Sequence, residues 1–191
     1  MPATTQFETK KEALLEVAAD LFYEQGFNCT GIKQIIEAAG IAKGTFYSHY
    51  KSKADIGTAW LVQRHSYWND LLSEYLRKQD PSPRGQLLGL FDFLKEWMES
   101  CDNRGCAFLN SLSEIPDSEH SMREVVSLHH RELRDDIGLL VAAHFTTKTS
   151  KENKHITDNL FVAIVGAITA TQSVRASWPI AAARAQLESI L

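Results

Sequence analysis

Residues 32–50, IKQIIEAAGIAKGTFYSHY, hold two short helix patterns separated by one glycine. Ile32, Ile35, Ile36 and Ala39 recur at helical spacing, so the first pattern carries a single apolar stripe. Gly40 can take the left-handed backbone that ends a helix in a tight turn, and Ile41 can plug the space between the two helices. The second pattern runs from Lys43 to Tyr50. At about 100° per residue, Phe46 and Tyr50 share one face, while Gly44, Ser48 and Lys51 point the other way. Thr45 and Tyr47 fall on the flanks. Two short helices joined in this way have a helix-turn-helix layout, and the rest of the chain must supply helices to pack against it.

Helical signals dominate that remainder. Thr9 and Glu12 have capping-box spacing, followed by an apolar face of Ala13, Leu14, Val17, Ala18, Leu21 and Phe22 that Gly26 can end. Thr30 is placed to cap the first short helix, and Ser52 to cap a long one over 53–78. After the break DPSPRG at 80–85 comes a helix with Leu87, Leu90, Phe91, Leu94, Trp97 and Met98 inward. CDNRG reads as a turn and CAFLNSLSE as a short helix. Beyond Pro116, a stripe of Met122, Val125, His129, Leu133, Ile137, Leu140, Val141 and His144 marks a long amphipathic helix. Residues 146–154 read as a polar loop, 155–175 as a helix apolar on nearly all sides, and WPIAAARAQLESIL as a last helix with Pro179 near its start. No strand alternation is evident. The expected fold is all-α: a helix-turn-helix domain over 1–52 and a second helical domain over 53–191, whose residues 53–78 form the connecting helix.

The chain has 191 residues, 44% of them hydrophobic, which is enough for a real core. No basic start followed by an apolar run suggests a signal peptide, and the longest apolar stretch, 160–170, is shorter than the roughly 20 residues a spanning helix needs. A cytoplasmic protein without a membrane partner is expected. The three cysteines, an odd number, argue against a disulfide framework. There is no CxxC, no glycine-rich phosphate loop and no Gly-x-Ser-x-Gly, so an enzyme is not expected; a thiol-dependent enzyme built on Cys106 is the rival reading. Cysteine and histidine spacing fits no standard zinc pattern, and neither a metal nor a cofactor is expected.

The outward face of the second short helix suits a DNA groove. Gly44 has no side chain to hold the helix away, Thr45 and Ser48 can meet base edges, and Lys43, Lys51, Lys53, His49 and the Tyr47 hydroxyl can reach phosphates. The amides behind Thr30 offer a helix N-terminus for one more phosphate. The segment TGIKQIIEAAGIAKGTFYSHYKSKADI resembles the TetR-family DNA-binding domain, with its Gly-Ile turn followed by a pattern like kGtfYxhFxsK. The resemblance covers about residues 9–56. It implies a bacterial transcription regulator, most simply a repressor, that binds a palindromic double-stranded operator through Thr30, Lys33, Lys43, Thr45, Tyr47, Ser48, His49 and Lys53. Three departures stand out. Ala42 replaces a Ser or Thr cap, Tyr50 replaces a Phe so that its hydroxyl needs solvent or a partner, and residues 1–53 contain no arginine. The six lysines of residues 1–53 are balanced by six acidic residues and no basic arm precedes the first helix, so little counterion release is available to drive non-specific binding.

NRGCAFLN, residues 103–110, is similar to the GCLxxN segment of a TetR subgroup that responds to reactive electrophiles, oxidants or small unsaturated acids. Gly105, Cys106 and Asn110 match; Ala107 stands for Leu. A thiol at a helix N-terminus favours thiolate, the form that adds electrophiles or oxidises, so Cys106 is either a sensor or a packed small residue. The subgroup's lysine on the penultimate helix corresponds to Gln172, with Arg175 about one turn on. An effector pocket is expected among Phe91, Leu94, Trp97, Met98, Phe108, Asn110, His129 and Leu133. The alternative to cysteine chemistry is a regulator released by a reversibly bound small molecule. The last two helices are expected to form a homodimer, because a palindrome asks for a two-fold partner.

Overall fold

The computed structural model describes residues 10–118 and 120–191. Among the described residues there are nine α-helices and no strand: α1 Lys10–Gln25, α2 Ile32–Ala38, α3 Lys43–His49, α4 Lys53–Arg77, α5 Pro83–Ser100, α6 Ala107–Glu114, α7 Ser121–His144, α8 Ser150–Val174 and α9 Trp178–Glu188. The all-α expectation holds. The capping box expected of Thr9 and Glu12 rests on Thr9, which lies outside the described residues.

Most boundaries follow from local chemistry. Gly26 (φ 95°) stops α1 and Gly40 (φ 63°) makes the turn between α2 and α3. Ser52 caps α4: its hydroxyl accepts from Asp55 N at 3.1 Å, and the Asp55 carboxylate accepts from Lys51 N at 2.9 Å. Ser82 caps α5 through Gly85 N, with Pro83 in the first turn. Ala42, as expected, gives α3 no side-chain cap.

Three expectations are corrected. α8 begins at Ser150, not at 155, because Thr149 and Glu152 form a complete capping box inside the supposed polar loop. Gly31, not Thr30, is the N-cap of α2. Thr30 is fully buried, and its hydroxyl donates to Gly26 O at 2.7 Å and accepts from Gln25 Nε2 at 3.0 Å. It closes the end of α1 rather than the start of α2. Third, α8 ends at Val174, and Arg175 is its C-cap in the left-handed conformation (φ 51°).

The chain divides into two compact units. The first takes residues up to His65 together with Ala107–Ser127, so α6 and the start of α7 pack with the helix-turn-helix segment. Its core joins Leu14, Ala18, Phe22, Phe27, Ile35, Phe46, Tyr50, Ile56 and Trp60 to Ile115 and Met122. The Phe22 ring lies 5.2 Å from Phe27 and 5.4 Å from Trp60. Helices as short as α2 and α3 are not stable alone in water, so this packing is what makes them helical. The second unit takes Ser66–Cys106 and Leu128–Leu191. Its core is the α5 stripe of Leu87, Leu90, Phe91, Leu94 and Met98, each worth about 1.5–3 kcal/mol on full burial. Trp68 meets Phe93 at 5.6 Å and His129 at 5.0 Å, both edge-on. Arg184 of α9 grips Asp92 of α5 with two bonds, at 2.7 and 3.2 Å.

Candidate nucleic-acid interface and sensing region

α3 is buried along one side and presents polar residues on the other. Phe46 is fully buried and Tyr50 nearly so, which locks the helix by one side. Lys43, Gly44, Tyr47, Ser48 and His49 are exposed, and Thr45 is half-buried. A Cβ on Gly44 would meet nothing within 4 Å, so this glycine is an open notch in the helix surface. Ser48 donates its hydroxyl proton to Thr45 O at 2.8 Å. Its exposed oxygen can still accept a further hydrogen bond. Lys43 reaches over the Tyr47 ring at 5.9 Å from the centroid, a cation–π contact that holds both side chains along the helix start.

Not every expected contact residue is free for that task. Lys33 is well exposed and only loosely paired with Glu37 at 3.6 Å. Lys53 is committed inward. Its ammonium donates to Phe27 O at 3.0 Å and Asn28 O at 3.5 Å and sits 4.4 Å over the Phe27 ring. It therefore ties the start of α4 to the α1–α2 turn and has at most one donor left for a phosphate. Thr30, buried and bonded to the end of α1, presents no side chain to solvent. What faces outward at that end of α2 is Gly31, which is exposed, and the first-turn amides beyond it.

Tyr50 departs from its expectation most clearly. Its hydroxyl reaches neither solvent nor a partner: the oxygen is buried without a hydrogen bond. Burial, then the nearby Asp55 charge, pushes the phenol above its ordinary value.

In the second unit, Gly105 (φ 92°) turns the chain immediately before Cys106, which is 5% exposed. A side chain at Gly105 would overlap the Gln172 amide, so Gln172 of α8 packs directly on the residue before the cysteine. The three cysteines form no disulfide with one another. Cys101 donates to Met98 O at 3.4 Å instead of pairing with Cys106. Phe91 and His129 are buried, and Trp97 is half-buried with its ring 6.5 Å from that of Trp68. Phe108 is buried and Asn110 half-buried on α6, within the first unit. Arg175 is exposed in its left-handed cap position and does not continue the α8 face that carries Gln172. Burial holds the neighbouring His130 imidazole below its ordinary value. Among the described residues, no three His, Cys, Asp or Glu side chains are grouped to hold a metal ion, and no helix is long and apolar enough to cross a membrane.

Sequence reading missed Glu114 and Asn28. Glu114 Oε2 accepts from Asn28 N at 2.7 Å, and Asn28 Nδ2 donates to Glu114 O at 2.8 Å. The partners lie 86 positions apart, and neither belongs to a motif.

Residues 14–59 match the model of bacterial regulatory proteins of the tetR family. The HTH-type transcriptional repressor NemR of Escherichia coli K12 is 25% identical over 123 residues, covering 64% of this chain and 61% of NemR. The matched segment thus spans less than two thirds of that relative. IcaR, the HTH-type negative transcriptional regulator of the biofilm operon icaADBC in Staphylococcus epidermidis, is 27% identical over 128 residues, 64% of this chain and 66% of IcaR. Among solved structures, a TetR-family transcriptional regulator from Streptomyces coelicolor superposes with a TM-score of 0.86 at 23% identity, over 96% of this chain and 89% of that one. The reduced form of E. coli NemR gives a TM-score of 0.81 at 20% identity, over 96% and 98%. At these identities the solved structures establish the fold.

Proposed function

We propose that this chain, which matches the model of the tetR family of bacterial regulatory proteins over residues 14–59, is a sequence-specific transcriptional repressor acting as a homodimer on a palindromic operator. The observation that carries the reading is the α3 surface: exposed Gly44, Tyr47, Ser48 and His49 over buried Phe46 and Tyr50. Such a helix enters a major groove with Thr45 and Ser48 toward base edges. Lys33, Lys43, His49 and the Tyr47 hydroxyl bind phosphates on either side, and Lys53 stiffens the support behind them. With few cations in the head, affinity comes from two correctly spaced half-sites, and the salt slope is shallow for a DNA-binding dimer.

The second copy docks on α8 and α9. Val162, Val174 and Trp178 on these helices, and Ile190 just beyond α9, are large apolar side chains left exposed. A groove of about 460 Å³ between the helices, lined by Leu160, Val162, Ala163, Ala183, Leu187 and Ile190, can receive the partner's side chains. Gly166, exposed with open space around its α-carbon, permits close helix approach.

Release is proposed to start at Cys106. Adduct formation or oxidation there disturbs the Gly105–Gln172 packing and the first residues of α6, and the change passes to α4 and the reading helices. The mechanism needs a small reagent, because Cys106 is nearly buried. That same burial favours a second reading, in which a reversible effector binds within the second unit near Phe91, Trp97 and His129 and the thiol does no chemistry.

Selection of bound fragments from genomic DNA, followed by mobility shift, tests the main reading. Saturable binding to an inverted repeat, lost in Tyr47→Ala, is expected. Cys106→Ser separates the two modes of release: it should bind the operator normally and resist release by N-ethylmaleimide or hydrogen peroxide. Normal release of that variant would leave the reversible effector as the account.

A further inference from the structure

The α1–α2 turn stands directly before the helix pair that reads DNA, and it is held from outside. Asn28 is exposed, yet its backbone amide is fixed by the Glu114 carboxylate at 2.7 Å and its side-chain amide by Glu114 O at 2.8 Å. Gly26 makes room for this grip. A Cβ there would sit 2.9 Å from Glu114 Oε1, and φ is 95° besides. The same turn supplies the Phe27 and Asn28 carbonyls that take the Lys53 ammonium. Glu114 is the last residue of α6, and α6 starts at Ala107, directly after Cys106. One short helix therefore runs from the cysteine segment to the turn beneath α2.

We propose that Glu114 is a positioning residue for DNA reading: its two bonds to Asn28 hold the α1–α2 turn, and with it the start of α2 and the Lys53 anchor, in the DNA-competent arrangement. The grip is specific because the carboxylate meets a backbone N–H and so fixes the path of the chain, not merely the place of a side chain. Loss of the grip frees the turn locally and leaves the second unit intact. The inference rests on the reading that the first unit binds DNA and does not depend on chemistry at Cys106.

Amide hydrogen exchange and operator binding on the full-length chain, for wild type, Glu114→Ala, Glu114→Gln and Asn28→Ala, test it. Glu114→Ala should speed exchange of the Asn28 amide about tenfold or more, the scale expected for losing a charge-assisted hydrogen bond, and weaken operator binding by a similar factor. Glu114→Gln keeps an acceptor for Asn28 N and should restore most of both. Asn28→Ala loses only the side-chain bond and should fall between. In all three, exchange in α8 should match wild type. Unchanged exchange at Asn28 in Glu114→Ala would overturn the proposal. So would faster exchange through α8 as well as the turn, because that is a general loss of stability. Should the wild-type chain bind no DNA fragment, the DNA-binding reading fails, and this inference loses its claim on DNA reading. Exchange at Asn28 would still decide whether the clamp itself exists.

Discussion

Replacing Tyr50 with Phe removes one oxygen from beneath α3. The ring stays, 6.2 Å from Phe46, in a site where the residue is 3% exposed. The hydroxyl there has no hydrogen-bond partner. An orphaned buried hydroxyl costs about 1–3 kcal/mol of desolvation that nothing in the folded state returns. Tyr50→Phe should therefore stabilise the first unit by about 1 kcal/mol, the low end, because some of the vacated space stays unfilled. For a chain of this length the midpoint rises by about 2–4 °C. Urea unfolding followed by fluorescence and circular dichroism measures it. The pH dependence gives a second test. The folded phenol lies above its ordinary value of about 10, so wild type has its full stability below pH 10. As pH rises past 10 the unfolded phenol ionises first, and wild type alone loses stability through this group. The advantage of Tyr50→Phe should widen there. A variant less stable than wild type, or an advantage that stays constant through pH 11, would refute the claim that the hydroxyl is unpaired. Operator binding should not change, since Tyr50 faces inward.

Other perturbations separate support from contact. Lys33→Ala should weaken operator binding alone and flatten the salt slope by about one ion, whereas Lys53→Ala should lower both affinity and unfolding free energy, because it frees the Phe27 and Asn28 carbonyls. Equal effects of the two in binding and unfolding assays would contradict that division. Gly57→Ala puts a Cβ 2.7 Å from the Phe27 ring and the Met122 sulfur, and should cost about 1–3 kcal/mol despite alanine's better helix propensity. Urea midpoints measure this cost. Arg184→Ala breaks the two bonds to Asp92 and should cost about 0.5–1 kcal/mol, read as an earlier unfolding of the second unit.

Much of the fold was legible in local patterns. Gly26, Gly40, Ser52 and Pro179 each mark a boundary through backbone freedom, a capping hydroxyl or a fixed φ, and the structure uses them that way. The α8 start was equally legible. Thr149 and Glu152 have capping-box spacing, but their polar surroundings disguised it as loop. Thr30 was misassigned because a threonine before a helix has two uses, and its hydroxyl goes back to the end of α1. Arg175 was assigned by counting turns along a helix that had already ended. Lys53 looked like a phosphate clamp, since nothing local reveals a carbonyl pair 25 and 26 residues away. Which side of α3 is buried was legible because that pattern lies within one helix, whereas the grip of Glu114 on Asn28 exists only in three dimensions.

Binding of the purified wild-type chain and of Tyr47→Ala to DNA selected from a genomic library tests the central claim most directly. The account predicts saturable binding of one dimer to an inverted repeat, a large margin over scrambled DNA of the same length, and loss of that margin in Tyr47→Ala. Binding that ignores sequence and varies only with salt, or an unchanged margin in Tyr47→Ala, would contradict it.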